Sequence, residues 1–354
     1  MSGPATQNRL GILVETNGHL DAFTFRTDGL FFDPQHHACV LMGTVEFASF
    51  WHAFDGCFSS PIGRKLIYAA TDAEETMLRQ REDFQYGRWF GRRRVQANLR
   101  QRSHRMGWGR FEDEHILMPA NDAITVGLFL AHREHTAGQR FNLEWNQRTS
   151  ERIDVVLQPK EGEMTPVPPV EPFTWLSSGL EGDVPKASLT LDLDHRGSTL
   201  FSGQARSFFL PVSVIQRLLD GLRGRQTTVP GDIGSSEVDA ALEEPDLFLA
   251  VVHASFEAFR STDQPVYLQR GEDWGGHLSQ QFTERGFGRV EVLQSVLDGA
   301  DSTVFRVQSP LPAVVAGSVL AMWCRAHGKR PEASFSQVDE FLTVTVREPR
   351  VNYD

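Results

Sequence analysis

One stretch restricts what this chain can fold into more than any other. Residues Gly127–Pro159, GLFLAHREHTAGQRFNLEWNQRTSERIDVVLQP, fall without a gap on Gly317–Pro349, GSVLAMWCRAHGKRPEASFSQVDEFLTVTVREP, when moved by 190 positions. Gly127 meets Gly317, Leu130 meets Leu320, Ala131 meets Ala321 and Gly138 meets Gly328. Arg140, Gln147, Val156 and Pro159 meet Arg330, Gln337, Val346 and Pro349, and Trp145 faces Phe335. A solenoid unit repeats every ~20–50 residues, so a shift this long predicts two copies of one domain.

A second matched block precedes each copy. Gly107-Trp108-Gly109-Arg110-Phe111-Glu112 corresponds to Gly286-Phe287-Gly288-Arg289-Val290-Glu291. The glycines predict a helix-to-strand turn at positive φ. They are no dinucleotide fingerprint, because a third glycine is missing and a strand follows. Both halves open with hairpin patterns. Leu10–Thr16 reads as a strand, Asn17-Gly18 as a tight turn and His19–Arg26 as the return. Ala187–Leu193, the turn Asp194–Gly197 and Ser198–Ser202 repeat this, and Phe32 and Pro34 are placed opposite Phe209 and Pro211. Helical spacing of Phe47, Phe50, Trp51 and Phe54 predicts a helix over 45–56, with another over 64–84; Leu247–Phe259 is helical in the second half.

The expected architecture is α+β: two tandem homologous domains, each an antiparallel sheet with packed helices, related by a pseudo-two-fold axis. Residues 1–160 form the first repeat and 187–354 the second. Residues 161–186 between them are rich in proline and read as a semi-rigid linker. The apolar run Pro172–Leu176 suits docking on a domain surface. Arg223–Asp246 has no counterpart and reads as a long surface loop.

The chain has 354 residues and a net charge of −11, which disfavours general nucleic-acid binding. Three cysteines, Cys39, Cys57 and Cys324, are too few and scattered for a disulfide framework. No signal peptide or membrane-spanning apolar run is visible, so a reducing cytoplasm is expected. The 25 Phe against 4 Tyr predict a core without polar handles, or an apolar cavity. Such a small-ligand pocket would draw on Phe50, Trp51, Phe54 and Cys324.

The most unusual local chemistry is Arg88–Arg105. Arg88, Arg92, Arg93, Arg94, Arg100, Arg102 and Arg105 crowd onto one segment, with Trp89 and Phe90 as an apolar anchor. It could hold an anionic ligand, an acidic protein partner or an anionic membrane surface. The plainer reading is a solvated helix face paired with the chain's own carboxylates. His36, His37, Cys39, His52 and Cys57 carry ligand chemistry in no zinc spacing, and neither a metal nor a cofactor is expected. His132, Glu134 and His135 face Met322, Cys324 and Arg325 in the second copy, and read as helix-surface residues. No nucleophile elbow, phosphate loop or paired-carboxylate motif is present.

The GxGR turns and the helices beginning Gly127-Leu128-Phe129-Leu130-Ala131 and Gly317-Ser318-Val319-Leu320-Ala321 resemble the 4-vinyl-reductase-type ligand-binding domain, related to small subunits of the TRAPP vesicle tether. The resemblance implies an α+β domain with an antiparallel sheet, an apolar pocket and a tendency to dimerise. This chain departs from the family in lacking a cysteine in the region that follows Gly138 in the first copy and in the region that follows Gly328 in the second. The expected function is a non-enzymatic binding or scaffold protein acting through protein contacts, with homo-oligomers open to it. The alternative is a small-molecule sensor or enzyme using an Arg-rich cleft between the copies.

Overall fold

The computed structural model describes residues 21–86, 91–176, 184–187, 191–230 and 236–349. The Leu10–Thr16 strand and the Asn17-Gly18 turn lie outside them. The fold is mixed α+β with eight α-helices among the described residues and three largely antiparallel sheets.

A central sheet is shared by both halves. β1 (Thr24–Phe25), β2 (Phe31–Phe32) and β3 (Ala38–Gly43) meet β8 (Leu193–Arg196), β9 (Thr199–Ser202) and β10 (Ala205–Pro211) in the order β1-β2-β3-β10-β9-β8. β3 and β10 run antiparallel, with Leu41 opposite Phe209 and Cys39 opposite Pro211. Each central strand feeds a helix directly: Gly43 caps α1 (Thr44–Asp55) and Pro211 caps α5 (Val212–Asp220). Gly43 thus stands where the first half's central strand meets its helix, as Pro211 does in the second, and the alignment of Phe32 and Pro34 with Phe209 and Pro211 does not follow the strand order. The two Phe-Phe-x-Pro runs look alike, but Pro34 follows β2 in the turn before β3, whereas Pro211 ends the central strand.

The remaining elements follow one order in both halves. The first half has α2 (Gly63–Gln80), α3 (Gly91–Arg105), β4 (Arg110–Phe111), β5 (His115–Leu117), α4 (Asp122–Ala137), β6 (Phe141–Thr149) and β7 (Arg152–Pro159). The second has α6 (Pro245–Arg260), α7 (Trp274–Gln281), β12 (Arg289–Gln294), β13 (Thr303–Gln308), α8 (Pro312–His327), β14 (Glu332–Val338) and β15 (Phe341–Arg347). The sheets run β4-β5-β7-β6 and β12-β13-β15-β14, the latter extended by β11 (Ser236–Val238), which lies parallel to β14. So the loop expected over Arg223–Asp246 does more than cover surface: it supplies an edge strand and the buried Leu242.

The repeated glycines sit where helices cross. A Cβ on Gly127 would overlap the Ile67 carbonyl oxygen, and one on Gly317 the Val252 carbonyl oxygen. Only glycine lets α4 lie this close to α2, and α8 this close to α6. Ile67 and Val252 thereby mark equivalent places on α2 and α6.

Each half also completes the other. α1 packs on α6, and α5 on α2. Phe209 donates its N–H to the Met106 carbonyl at 2.8 Å, and Trp108 Nε1 donates to the Phe209 carbonyl at 2.8 Å. Reciprocally, Gly288 N–H donates to the Gly29 carbonyl at 3.0 Å and Arg285 Nε to the Leu41 carbonyl at 3.3 Å. Thus each GxGR turn grips the opposite half's strands. One apolar core runs from Phe47 through Phe208 and Phe209 to Phe248 and Trp323. From the proline-rich segment, Phe173 and Trp175 enter this core; Trp175 meets Phe248 edge-on, and its Nε1 donates to the Glu243 carbonyl at 2.8 Å. Among the described residues, no helix is long and apolar enough to cross a membrane.

Candidate functional site

The most concentrated chemistry lies inside the first half, where α2, α3 and α4 enclose a network of charges. Glu74 and Glu75 sit on α2 on the face that carries Ala70, Met77 and Leu78, at helical spacing. Packing of that face forces both carboxylates inward. Arg102 answers Glu74 from α3: its Nε donates to Oε1 at 2.8 Å and its Nη2 to Oε2 at 3.1 Å. Arg102 Nη1 also donates to Asp33 Oδ2 at 2.6 Å and Gln35 Oε1 at 2.8 Å. The free Asp33 oxygen accepts the N–H groups of Gln35 and His37. His132 Nε2 lies 2.9 Å from Glu74 Oε1. Next to it, Arg140 joins Glu75 to Glu134 Oε2, the latter at 2.6 Å, and Arg79 adds a second cation to Glu75 at 2.8 Å.

The protonation states follow from burial and pairing. Burial alone would raise the Glu74 carboxyl, but the Arg102 charge and the His132 hydrogen bond outweigh it and hold it at about 2. Burial likewise opposes the charge of Arg102, yet Glu74 and Asp33 keep it more firmly protonated than an ordinary arginine. Burial lowers His132 against the pull of Glu74, so the ring is neutral at pH 7 and donates from Nε2. Every charge here has a partner, and no nucleophile stands beside a free base. The Ser103 hydroxyl next to Arg102 donates to the Arg100 carbonyl at 3.0 Å. Chemically, the arrangement clamps three helices and the β2–β3 turn together.

The basic segment divides in two. Arg92, Arg93, Arg94 and Arg100 are exposed on α3, and none of them pairs with a described carboxylate. Arg94 reaches only the Gln85 carbonyl, at 3.3 Å. Arg102, grouped with them from the sequence, is a correction: it is buried and wholly engaged, because it points from the opposite side of α3. Arg105 is half-buried. Arg88, Trp89 and Phe90 lie outside the described residues. His132 and Glu134 are corrections too, since both are buried and not on a helix surface; His135 is half-buried, with Nε2 2.8 Å from the Phe84 carbonyl. α4 is packed between α2, α3 and a sheet, which leaves it little open face.

The apolar pocket expected from Phe50, Trp51, Phe54 and Cys324 does not gather. Phe50 and Phe54 are core residues stacked 5.7 Å apart. Cys324 is half-buried on α8 beside Arg260 and Arg330, its thiol pushed up to about 11 by burial. Of the four, Trp51 lines a cavity of about 660 Å³, together with Gly63, Ile67 and Trp145. A second cavity of about 630 Å³ adjoins it across Arg64, Ile67 and Trp145. A third, of about 350 Å³, is lined by Arg100, Phe111, Phe129, His132 and Arg133. Among the described residues no three His, Cys, Asp or Glu side chains are grouped to hold a metal.

Asp33, Glu74 and Glu75 were not singled out by the sequence pattern, and Arg140 stood out only as the match of Arg330. The available signal was Glu74-Glu75 set among Ala69, Ala70, Ala73, Met77 and Leu78, where a solvated helix face would carry more polar neighbours. The second half lacks this network: the places of Glu74, His132 and Glu134 are held by Phe259, Met322 and Cys324. No family model, no curated protein and no solved structure matches the chain.

Proposed function

We propose that the chain is a binding scaffold without catalysis of its own: one α+β unit present twice, closed on itself as an intramolecular pseudo-dimer, holding a protein partner on surfaces its halves do not share. Residues 1–160 and 187–354 are the two units in this reading, joined by 161–186. It is supported by the common order of elements, the equivalent glycine crossings and the reciprocal grip of the GxGR turns. The 4-vinyl-reductase-type resemblance, with its tendency to dimerise, fits the same picture. Three free thiols agree with a reducing compartment.

The observation that carries the reading is asymmetry. The second unit's outer edge is covered by β11 and by Phe173–Leu176, whereas among the described residues nothing covers β6 or the arginines of α3 in the first unit. The buried clamp through Arg102 fixes α3, so its exposed arginines form a rigid cationic face suited to an acidic partner. Affinity capture from the source cells tests this, with the wild type against a variant carrying Arg92→Ser, Arg93→Ser, Arg94→Ser and Arg100→Ser. A specific partner should be retained by the wild type, weaken with salt and be lost in the variant. Equal capture by both would remove α3 from the function.

A second reading has its own observation. Arg100 and the neutral His132 line the cavity of about 350 Å³, beside the edge-to-face pair Phe111–Phe129 and the Arg133–Asp113 ion pair. That chemistry suits a small aromatic or apolar acid. Native mass spectrometry of the purified protein, showing a stoichiometric bound acid, would favour a sensor over a scaffold.

A further inference from the structure

The two sheets differ at one edge, and the difference describes a missing occupant. In the second half, β14 is covered twice. β11 pairs with it in parallel, Val238 opposite Phe335. Beneath, Phe335 is buried against Phe248, which meets Trp175. The matching strand β6 ends its sheet with no strand beyond it among the described residues. Trp145, which matches Phe335, is 39% exposed where Phe335 is 1% exposed.

The filler is missing as well. Counting from the equivalent positions Ile67 and Val252, the place of Phe248 on α6 is held on α2 by Gly63. A Cβ on Gly63 meets nothing within 4 Å. The result is the groove formed by the two adjoining cavities that share Arg64, Ile67 and Trp145. Its lining carries exposed Arg64 and Lys160, neither paired with a described carboxylate, together with exposed Glu144 and half-buried Asp122. The segments that cover the second edge are acidic, with Glu171, Glu237, Asp239 and Glu243.

We propose that β6 is a docking edge for an extended, acidic segment of a partner protein, which pairs with it in parallel and inserts an aromatic side chain over Gly63 against Trp145. Backbone pairing supplies affinity and the aromatic pocket supplies selectivity. Arg64 and Lys160 read the acidic flanks. This rests on the scaffold reading and names the chemistry of the partner.

The probe is a fluorescein-labelled peptide with the sequence Val170–Leu176, VEPFTWL, which carries Glu171, Phe173 and Trp175. Titration by fluorescence anisotropy against the full chain should give saturable binding that weakens with salt. Gly63→Phe should abolish it by filling the groove, and Trp145→Ala should weaken it about tenfold. Gly63→Phe is expected to fold, since the space is open and Phe248 occupies the matching place; circular dichroism and the urea midpoint check this. No binding, or binding that Gly63→Phe leaves unchanged, overturns the proposal. Concentration-dependent dimers in sedimentation that vanish in Gly63→Phe would also overturn it, by making a second copy the occupant. If cell-partner capture still depends on the α3 arginines while the peptide fails, the groove assignment falls and the scaffold reading stands.

Discussion

Arg102 on α3 and Glu74 on α2 form a two-pronged ion pair inside the first half, Nε to Oε1 at 2.8 Å and Nη2 to Oε2 at 3.1 Å, with both side chains buried. Removing one partner of such a pair leaves an uncompensated buried charge and costs about 3–5 kcal/mol. Arg102→Met should therefore lower the urea midpoint strongly, since Asp33 and Glu74 lose their shared cation together. Arg102→Met combined with Glu74→Gln should recover part of that loss. A single variant as stable as the wild type would show that the clamp contributes nothing.

Acid should loosen the same clamp in two steps. His132 sits below its ordinary 6.5 when folded, so the unfolded chain takes up that proton first and stability declines as pH falls below about 6.5. Glu74 is held at about 2 against an ordinary 4.5. Its contribution, about 3 kcal/mol from that difference, is complete above pH 4.5 and disappears as pH falls towards 2. Urea midpoints across this range should drop twice. His132→Gln should reduce the first drop, leaving the part due to His37, which burial beside the same clamp also lowers, and Glu74→Gln should flatten the second while lowering stability at neutral pH.

The glycine match gives a test of equivalence between the halves. Gly127→Ala and Gly317→Ala should each destabilise by about 1–3 kcal/mol, because the added carbon overlaps a helix carbonyl at the crossing. Gly275→Ala in α7 is the control. Its Cβ would meet nothing within 4 Å, so a gain of about 0.4–1 kcal/mol is expected there. Unequal effects at Gly127 and Gly317 would argue that the two crossings do different jobs.

How far the fold could be read from the sequence depends on what recurs between the two halves of the chain. Glycines and large apolar residues recur because close packing admits few substitutes, so α4 and α8 stood out. Gly107 and Gly286 announced a turn at positive φ, and both adopt it, at 73° and 87°. The site was less legible. Arg102 and Arg100 look alike in sequence, and only the direction of α3 decides that one is buried and the other exposed. Glu74 finds Asp33 and Arg102 across long separations that no local pattern encodes. The Gly63 groove is visible only once the helix crossings at Ile67 and Val252 show that Gly63 holds on α2 the place that Phe248 holds on α6, a comparison that a gap between matched blocks hides.

The reciprocal grip of the halves leads to a final prediction about the connecting segment. β3 pairs with β10, α1 lies on α6, α5 lies on α2, and Arg285 reaches Glu46 across the halves. None of these contacts depends on the exposed backbone at Glu161–Glu163. A protease site inserted after Gly162, where a side chain would meet nothing, should be cut without disassembly. The nicked fragments should co-elute in gel filtration and part only in denaturant. Either fragment expressed alone should expose Phe208 and Phe209 or Phe31 and Leu41, and aggregate, since buried apolar strands would lose their cover. Fragments that separate on simple dilution, each keeping its helical spectrum, would show that the halves are independent domains and not one interlocked body.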